Sequence, residues 1–142
     1  MAEWTTMFHL VVVALDPYTH ESSWILPTAT RILRDYSAAD CRVAFLVTAD
    51  IADATQFLGP LGQEFLVFAD PDRVAVKSFG LEYLPALVHL NQHHAVEGRA
   101  EGWNPDEWRE VVTNLSAVMS WGRPVIPNAG DPTPFAGSPA FG

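Results

Sequence analysis

The segment VVVALDPYTHESSWILP, residues 11–27, carries the strongest information about the architecture of this chain. Its apolar part belongs to a continuous run, Phe8–Leu15, which is typical of a buried central strand. A polar loop follows and leads into a helix, predicted to begin at Ser22 or Ser23, either of which can cap it, with Pro27 kinking it. Many α/β proteins place reactive groups at such a junction, because the helix N-terminus supplies free N–H donors.

Composition excludes several function classes. The chain has 142 residues, 49% of them hydrophobic, and this favours one domain with a core of its own. A net charge of −9 and a single lysine, Lys77, argue against partners such as nucleic acid or an anionic membrane. Cys41 is the only cysteine, so an internal disulfide and a Cys-x-x-Cys pair are impossible. The N-terminus lacks a targeting pattern, and we expect a cytoplasmic protein.

Strands and helices alternate along the rest of the chain. The predicted elements are a strand over Arg42–Thr48, a helix from the cap Asp50 to Leu58, a strand over Glu64–Ala69, a short helix over Arg73–Phe79, a strand over Leu84–Leu90, a hairpin turn into Ala95–Ala100, and a helix from the cap Asn104 to Gly122. Alternation of this kind predicts a mostly parallel sheet with right-handed crossovers, and the hairpin adds an antiparallel pair.

A C-terminal tail, residues 122–142, differs in composition from the domain predicted over residues 1–121. Pro, Gly and Ala dominate it, without a helical or strand period, so an extended, polyproline-like conformation is expected. Such a tail is ordered only where something holds it. The candidate anchors are its larger apolar residues, which could dock on the protein's own body or on a neighbouring chain: Val125, Ile126, Phe135 and Phe141.

In this order of elements the chain resembles the thioredoxin superfamily, over about Phe8 to Met119. The resemblance lies in residues 11–27, in YLPALV at residues 83–88 before a hairpin, and in a final helix after a glycine. It implies a three-layer α/β sandwich in which Pro85 is cis and faces the active-site loop. The added helix and strand between Asp50 and Asp70 resemble the branch that includes peroxiredoxins and TlpA-type thioredoxins.

The family's redox motif is absent. Counted back from Pro27, its positions fall on Thr19-His20-Glu21-Ser22, where an active member has Cys-x-x-Cys. Thiol–disulfide exchange needs an attacking thiolate and a resolving thiol, which hydroxyl groups cannot replace. We therefore expect a redox-inactive protein that is not an enzyme and needs no cofactor.

What the resemblance implies instead is protein binding, as an adaptor, chaperone or accessory subunit. In the family, a groove between the active-site loop, the cis-proline loop and a glycine loop holds an extended peptide by backbone pairing. The residues carried over to that groove are Thr19, His20, Glu21, Ser22, Leu84, Pro85, Gly102 and Trp103. The chain also resembles the thioredoxin-like hydrogenase accessory proteins in size, acidity and lack of Cys-x-x-Cys, and these chaperone a small subunit before export.

Other hypotheses remain beside this one. Cys41, or a bound cofactor, could serve a divergent thioredoxin- or peroxiredoxin-type oxidoreductase, although a small buried strand residue is the simpler interpretation. His20, Glu21 and Ser22 are too close in sequence for a catalytic triad, which is assembled from separate elements. The histidines of the predicted hairpin lack further ligands at metal-binding spacing. Homo-oligomerisation through the tail is a further possibility.

Overall fold

A five-stranded sheet with helices on both faces forms the body of the protein in the computed structural model, which describes residues 9–37, 41–93, 95–119, 122 and 124–141. The elements are β1 (His9–Leu15), α1 (His20–Asp35), β2 (Cys41–Val47), α2 (Ile51–Leu58), α3 (Leu61–Glu64), β3 (Leu66–Ala69), α4 (Val74–Ser78), β4 (Tyr83–Leu84), β5 (Ala86–Leu90), β6 (Val96–Glu101), α5 (Pro105–Met119) and β7 (Ser138–Pro139).

The strand order is β3-β2-β1-β5-β6. Strands β1, β2 and β3 pair in parallel, whereas β5 is antiparallel to β1 and to β6. Strand β6 therefore runs in the direction of β1, and only β5 is reversed. The predicted mostly parallel sheet with a C-terminal antiparallel hairpin is confirmed.

Strand β1 is apolar throughout because both of its faces are covered. Val11 and Val13 pack in a core with residues of α1 and α5, while Leu10 and Val12 pack in a second core with residues of α4. All four side chains are fully buried. A strand between two helical layers has no solvent-facing side, which explains the unbroken apolar run. The predicted three-layer sandwich is confirmed.

Two predicted helix starts are confirmed. The side chain of Asp50 accepts a hydrogen bond from the backbone N–H of Asp53 at 2.9 Å, and Asn104 Oδ1 accepts one from that of Glu107 at 3.3 Å. These bonds satisfy N–H groups that a helix leaves without an internal partner. By contrast, the short helix α3 was not expected from the sequence.

The predicted start of α1 at Ser22 or Ser23 is wrong. The helix begins at His20, with Thr19 as its N-cap residue. Thr19 does not cap through its side chain, because its hydroxyl donates to the carbonyl of Asp16 at 2.9 Å. Ser22 Oγ accepts a hydrogen bond from the Asp16 backbone N–H at 2.9 Å, so it holds the preceding loop instead of capping the helix.

The tail lies on the body of the same chain. Strand β7 pairs antiparallel with β4, and a further bridge joins Phe135 to Trp103. The expectation of a tail without strand structure is therefore wrong at these positions, where the backbone finds partners on the body. Helix α5 is described as far as Met119, and the residues that would decide its predicted end at Gly122 and the predicted boundary after residue 121 fall outside the described ranges.

Candidate functional site

The loop between β1 and α1 is fixed by a buried carboxylate. Asp16, 4% exposed, accepts a hydrogen bond from the Tyr18 backbone N–H at 3.0 Å. Its other oxygen lies 3.3 Å from the guanidinium of Arg73, which comes from the start of α4. The backbone N–H of Asp16 also donates to Ser22 Oγ. Asp16 therefore connects the end of β1, the start of α1 and the start of α4. The loop is thus held in one conformation.

The four positions of the family's redox motif differ in their accessibility. Ser22 is fully buried, and its Oγ lies 3.3 Å from the hydroxyl of Thr19. His20 is exposed and stacks on Trp24 with 6.3 Å between ring centroids. Glu21 is half-buried at the first turn of α1. Because Ser22 is inaccessible and already hydrogen-bonded, this loop does not present a serine nucleophile.

The Leu84–Pro85 peptide bond is cis, as the resemblance implies. Leu84 is fully buried, and the carbonyl of Pro85 accepts a hydrogen bond from the N–H of Gly102 at 2.8 Å. This bond joins the proline strand to the glycine loop, so the two loops lie side by side.

Trp103 in the glycine loop is not an exposed binding anchor. It is fully buried and packs edge-on against Trp108, with 5.2 Å between ring centroids. Its indole N–H donates to the carbonyl of Pro132 in the tail at 2.7 Å. The tail therefore covers the side chain of this predicted groove residue.

The three loops of the predicted groove, residues 16–22, 84–85 and 102–103, each contact the tail, and we call them the three-loop groove. Residues 132–140, the tail segment, lie across it. Phe135 exchanges two backbone hydrogen bonds with Trp103, at 2.8 and 3.1 Å. Ser138 pairs with Leu84, and its hydroxyl donates to Glu21 at 2.9 Å. Ser138 thereby connects the helix start to the proline strand.

The Glu21 carboxylate is stabilised in its charged form. A hydrogen bond from its own backbone N–H lowers its pKa, and the Ser138 hydroxyl and the nearby His20 lower it further. Backbone N–H groups in the first helical turn favour an anion, which agrees with this direction. The groove therefore carries a negative charge beside the tail.

A second part of the tail, the anchor segment of residues 126–131, is attached to α1 and α5. Ile126 is 4% exposed, and its carbonyl accepts a hydrogen bond from Arg109 at 2.9 Å. The Asp131 carboxylate pairs with Arg31 at 2.7 Å and accepts from Thr28 at 2.8 Å. Burial raises the pKa of Asp131, but its hydrogen bonds outweigh that effect and lower it.

The predicted anchors of the tail divide into two groups. Ile126 and Phe135 pack against the body of the chain. Val125 and Phe141 are 65% and 55% exposed, so they do not hold the tail to this body. Their docking on a neighbouring chain stays a prediction.

Cys41 lies far from the three-loop groove. It is buried at the start of β2, opposite His9, whereas Val47 at the end of β2 is opposite Leu15. Six residues of strand separate the two ends, a distance of about 20 Å. In this conformation the thiol does not reach the loop.

Two of the histidines, His9 on β1 and His89 on β5, lie in contact with each other. His89 Nε2 lies 2.7 Å from His9 Nδ1, and burial lowers the pKa of His89 to about 4, with His9 adding to the shift. Within the described ranges, no group of three or more metal-ligating side chains occurs, and His94 falls outside those ranges.

The sequence did not identify three residues that hold the loops and the tail together at this site: Asp16, Arg73 and Ser138. Asp16 had a usable signal, because it directly follows a buried strand whose C-terminal end borders the groove. Arg73 and Ser138 had none, since their partners lie 57 and 117 positions away in the chain. Contacts over such separations leave no local pattern.

No family model matches the sequence, and a comparison with curated proteins also finds no match. Solved structures do match. A protein from Chlorobium tepidum, named as the thiol:disulfide interchange protein DsbE, is 18% identical over 81% of this chain and 82% of its own, with a TM-score of 0.66. The chain has the thioredoxin-like fold.

Two further solved structures extend the comparison. A secreted disulfide oxidoreductase of Mycobacterium tuberculosis, homologous to DsbE, is 14% identical over 80% of this chain and 84% of its own, with a TM-score of 0.59. A hypothetical protein of Sinorhizobium meliloti is 12% identical, with a TM-score of 0.67. That alignment covers 98% of this chain and 82% of the other, so it extends into the tail. Among the described residues, no helix is long and apolar enough to cross a membrane.

Proposed function

We propose that this thioredoxin-like protein binds an extended segment of another protein in the three-loop groove and carries out no redox chemistry there. One observation carries the proposal: the groove pairs with an extended backbone, that of the tail segment, through Trp103 on one side and Leu84 on the other. A surface that satisfies the main-chain groups of one extended segment is suited to others of similar shape.

The groove supports recognition rather than exchange. Main-chain pairing supplies affinity with little dependence on side chains, and the polar rim of Glu21 and His20 can add specificity. Hydroxyl groups stand at positions 19 and 22, and neither can form a mixed disulfide with a bound protein. A partner would therefore be held reversibly.

The biological role that fits is that of an adaptor, chaperone or accessory subunit. A part in hydrogenase maturation or assembly is the specific form of this proposal, and it is supported by size, acidity and the missing cysteines. A cytoplasmic location belongs to the same proposal. Association of the protein with copies of itself stays a prediction.

Site-specific cross-linking tests the proposal. A photo-reactive amino acid placed at His20 stands at the rim of the groove, on an exposed side chain. The same group at Gln92 is also exposed, but it lies in the turn after β5, at the opposite end of the sheet. In cells of the source organism, a partner captured from position 20 and not from position 92 is expected. Equal capture from both positions would contradict groove binding.

The structural neighbours favour a second candidate function. Two of them are named as a thiol:disulfide interchange protein and a disulfide oxidoreductase, so an oxidoreductase that uses Cys41 or a bound cofactor remains a candidate. Reduction of insulin with dithiothreitol, repeated with Cys41→Ser, separates the two. Turnover that disappears in the variant would support the enzyme and contradict the adaptor. Absence of turnover above the reagent alone agrees with binding.

A further inference from the structure

We infer that the tail segment is a built-in occupant of the three-loop groove, and that a partner binds by replacing it with an uncharged segment of similar pattern. That pattern is an aromatic residue, two small residues and a hydroxyl residue, as in Phe135-Ala136-Gly137-Ser138. The inference rests on the proposed function, because it identifies what the same groove accepts and what competes for it.

Close backbone approach requires glycine at position 137 of the tail segment and at position 102 of the groove. A Cβ atom added to Gly137 would lie 2.6 Å from the carbonyl oxygen of Leu84, closer than real Cβ contacts come. A Cβ added to Gly102 would lie 2.4 Å from the carbonyl oxygen of Ala136. Both glycines also have positive φ, +90° and +64°, which other residues rarely adopt. The groove therefore selects glycine at position 137, beside the carbonyl oxygen of Leu84.

Side-chain contacts define the positions on either side. Phe135 meets Trp24 edge-to-face, with 5.7 Å between ring centroids, and this geometry is favourable for aromatic pairs. Ser138 donates its hydroxyl hydrogen to the Glu21 carboxylate. A hydroxyl donor suits that carboxylate, whereas an acidic residue at the same place would be repelled. An aromatic residue three positions before a serine or threonine is thus the expected signature.

The charge of the surroundings disfavours an acidic occupant, and the present occupant is uncharged. Residues 132–140 have no ionisable side chain. Glu101 accepts backbone hydrogen bonds from Glu82 and Tyr83 at 3.3 and 3.1 Å, so a second carboxylate lies beside β4. Arg73 donates to the carbonyl of Ala140 and thereby fixes the far end of the tail segment through its main chain.

The anchor segment keeps the tail segment close to the groove, so the tail segment competes strongly with an external segment. Asp131 and Ile126 hold the chain on the body immediately before the tail segment, so release of the segment leaves it tethered nearby. A short tether gives an effective concentration of about a millimolar. The apparent affinity for an external segment is therefore the intrinsic affinity multiplied by the fraction of molecules in which the tail segment is open. Any change that opens the tail segment should increase binding without altering the groove.

The test uses the full-length chain and a fluorescent peptide of residues 132–141, with binding followed by fluorescence anisotropy. Gly137→Ala in the protein should open the tail segment and tighten peptide binding by about tenfold or more, because the closed state no longer competes. Gly59→Ala, at the end of α2 and outside the tail, is the matched control. It places a Cβ at a φ of +57°, but with no atom within 4 Å, so binding should stay at the wild-type level. A peptide that carries the Gly137→Ala change should bind neither protein.

A second variant makes the test independent of one substitution. Phe135→Ala in the protein removes the contact with Trp24, and it should likewise open the tail segment and tighten binding of the wild-type peptide. The indole N–H resonance of Trp103, bonded to Pro132 in the closed state, should shift in both variants. If neither variant binds the peptide more tightly than the wild type does, the inference is overturned.

The two proposals can fail separately. Tighter peptide binding without a partner captured at position 20 would support the built-in occupant and contradict the proposed function. Capture at position 20 without any gain in peptide binding would leave groove binding in place and overturn the competing role of the tail.

Discussion

The buried imidazole of His89 makes stability depend on pH. Its pKa in the folded protein is about 4, against 6.5 for an exposed histidine, because burial and the neighbouring His9 disfavour the charged form, while Glu97 partly offsets them. The unfolded chain therefore takes up the proton first as the pH falls. The stabilisation is fully present above about pH 6.5, declines below it, and is lost once the pH passes about 4.

The magnitude follows from the difference between the two pKa values. Each pKa unit corresponds to about 1.4 kcal/mol, so the difference between 6.5 and about 4 amounts to about 3 kcal/mol. Relative to high pH, where the imidazole is neutral in both states, linkage gives a loss of about 1 kcal/mol at about pH 5.5 and of about 2–3 kcal/mol at about pH 4.5. At about pH 5.5 most carboxylates are still charged, so the first of these losses is measured with little contribution from their titration.

Urea unfolding followed by tryptophan fluorescence measures the effect, at about pH 7.5, 5.5 and 4.5. His89→Gln keeps a polar side chain that cannot titrate, so its loss of stability between about pH 7.5 and 5.5 should be smaller than that of the wild type by about 1 kcal/mol. His93→Gln removes an exposed imidazole from the nearby turn and should follow the wild-type curve. Parallel curves for wild type and His89→Gln would refute the reasoning.

Three further substitutions test the fold by urea unfolding. Asp50→Ala removes the cap of α2 and should lower the free energy of unfolding by about 1 kcal/mol. No loss would mean that water replaces the cap. Tyr36→Phe removes a buried hydroxyl that lies 2.6 Å from Ser116 Oγ, with an expected loss of about 1–2 kcal/mol. A neutral result would show that Ser116 finds another partner. Trp108→Phe removes the hydrogen bond to the Gly102 carbonyl and leaves a void, for an expected loss of about 2 kcal/mol. A fully stable variant would contradict the close packing of that region.

Local signals made most of the fold predictable. The apolar run of β1, the caps Asp50 and Asn104, and the proline at position 85 each depend on neighbouring residues, and each appears in the structure as expected. The start of α1 was misplaced because Ser22 serves the loop before it rather than the helix. A side chain that could cap a helix has several possible acceptor roles, and tertiary contacts decide between them.

The candidate site was less predictable than the fold. The resemblance identified the loops of the groove, but composition gave no indication that the tail would lie across them. Trp103 is buried because Pro132 and Phe135 cover it, and these contacts join segments about thirty residues apart. Long-range pairing of a short strand has no periodic signal, since two residues cannot show an alternation.

The position of Cys41 has a practical consequence. It is the only thiol in the sequence, it is buried, and it lies at the opposite end of β2 from the groove. Under native conditions a thiol reagent should react with this largely buried side chain faster when that end of the sheet opens, so its labelling rate reports on this opening. The unaltered protein thus carries its own reporter, one that should be insensitive to movements of the tail segment.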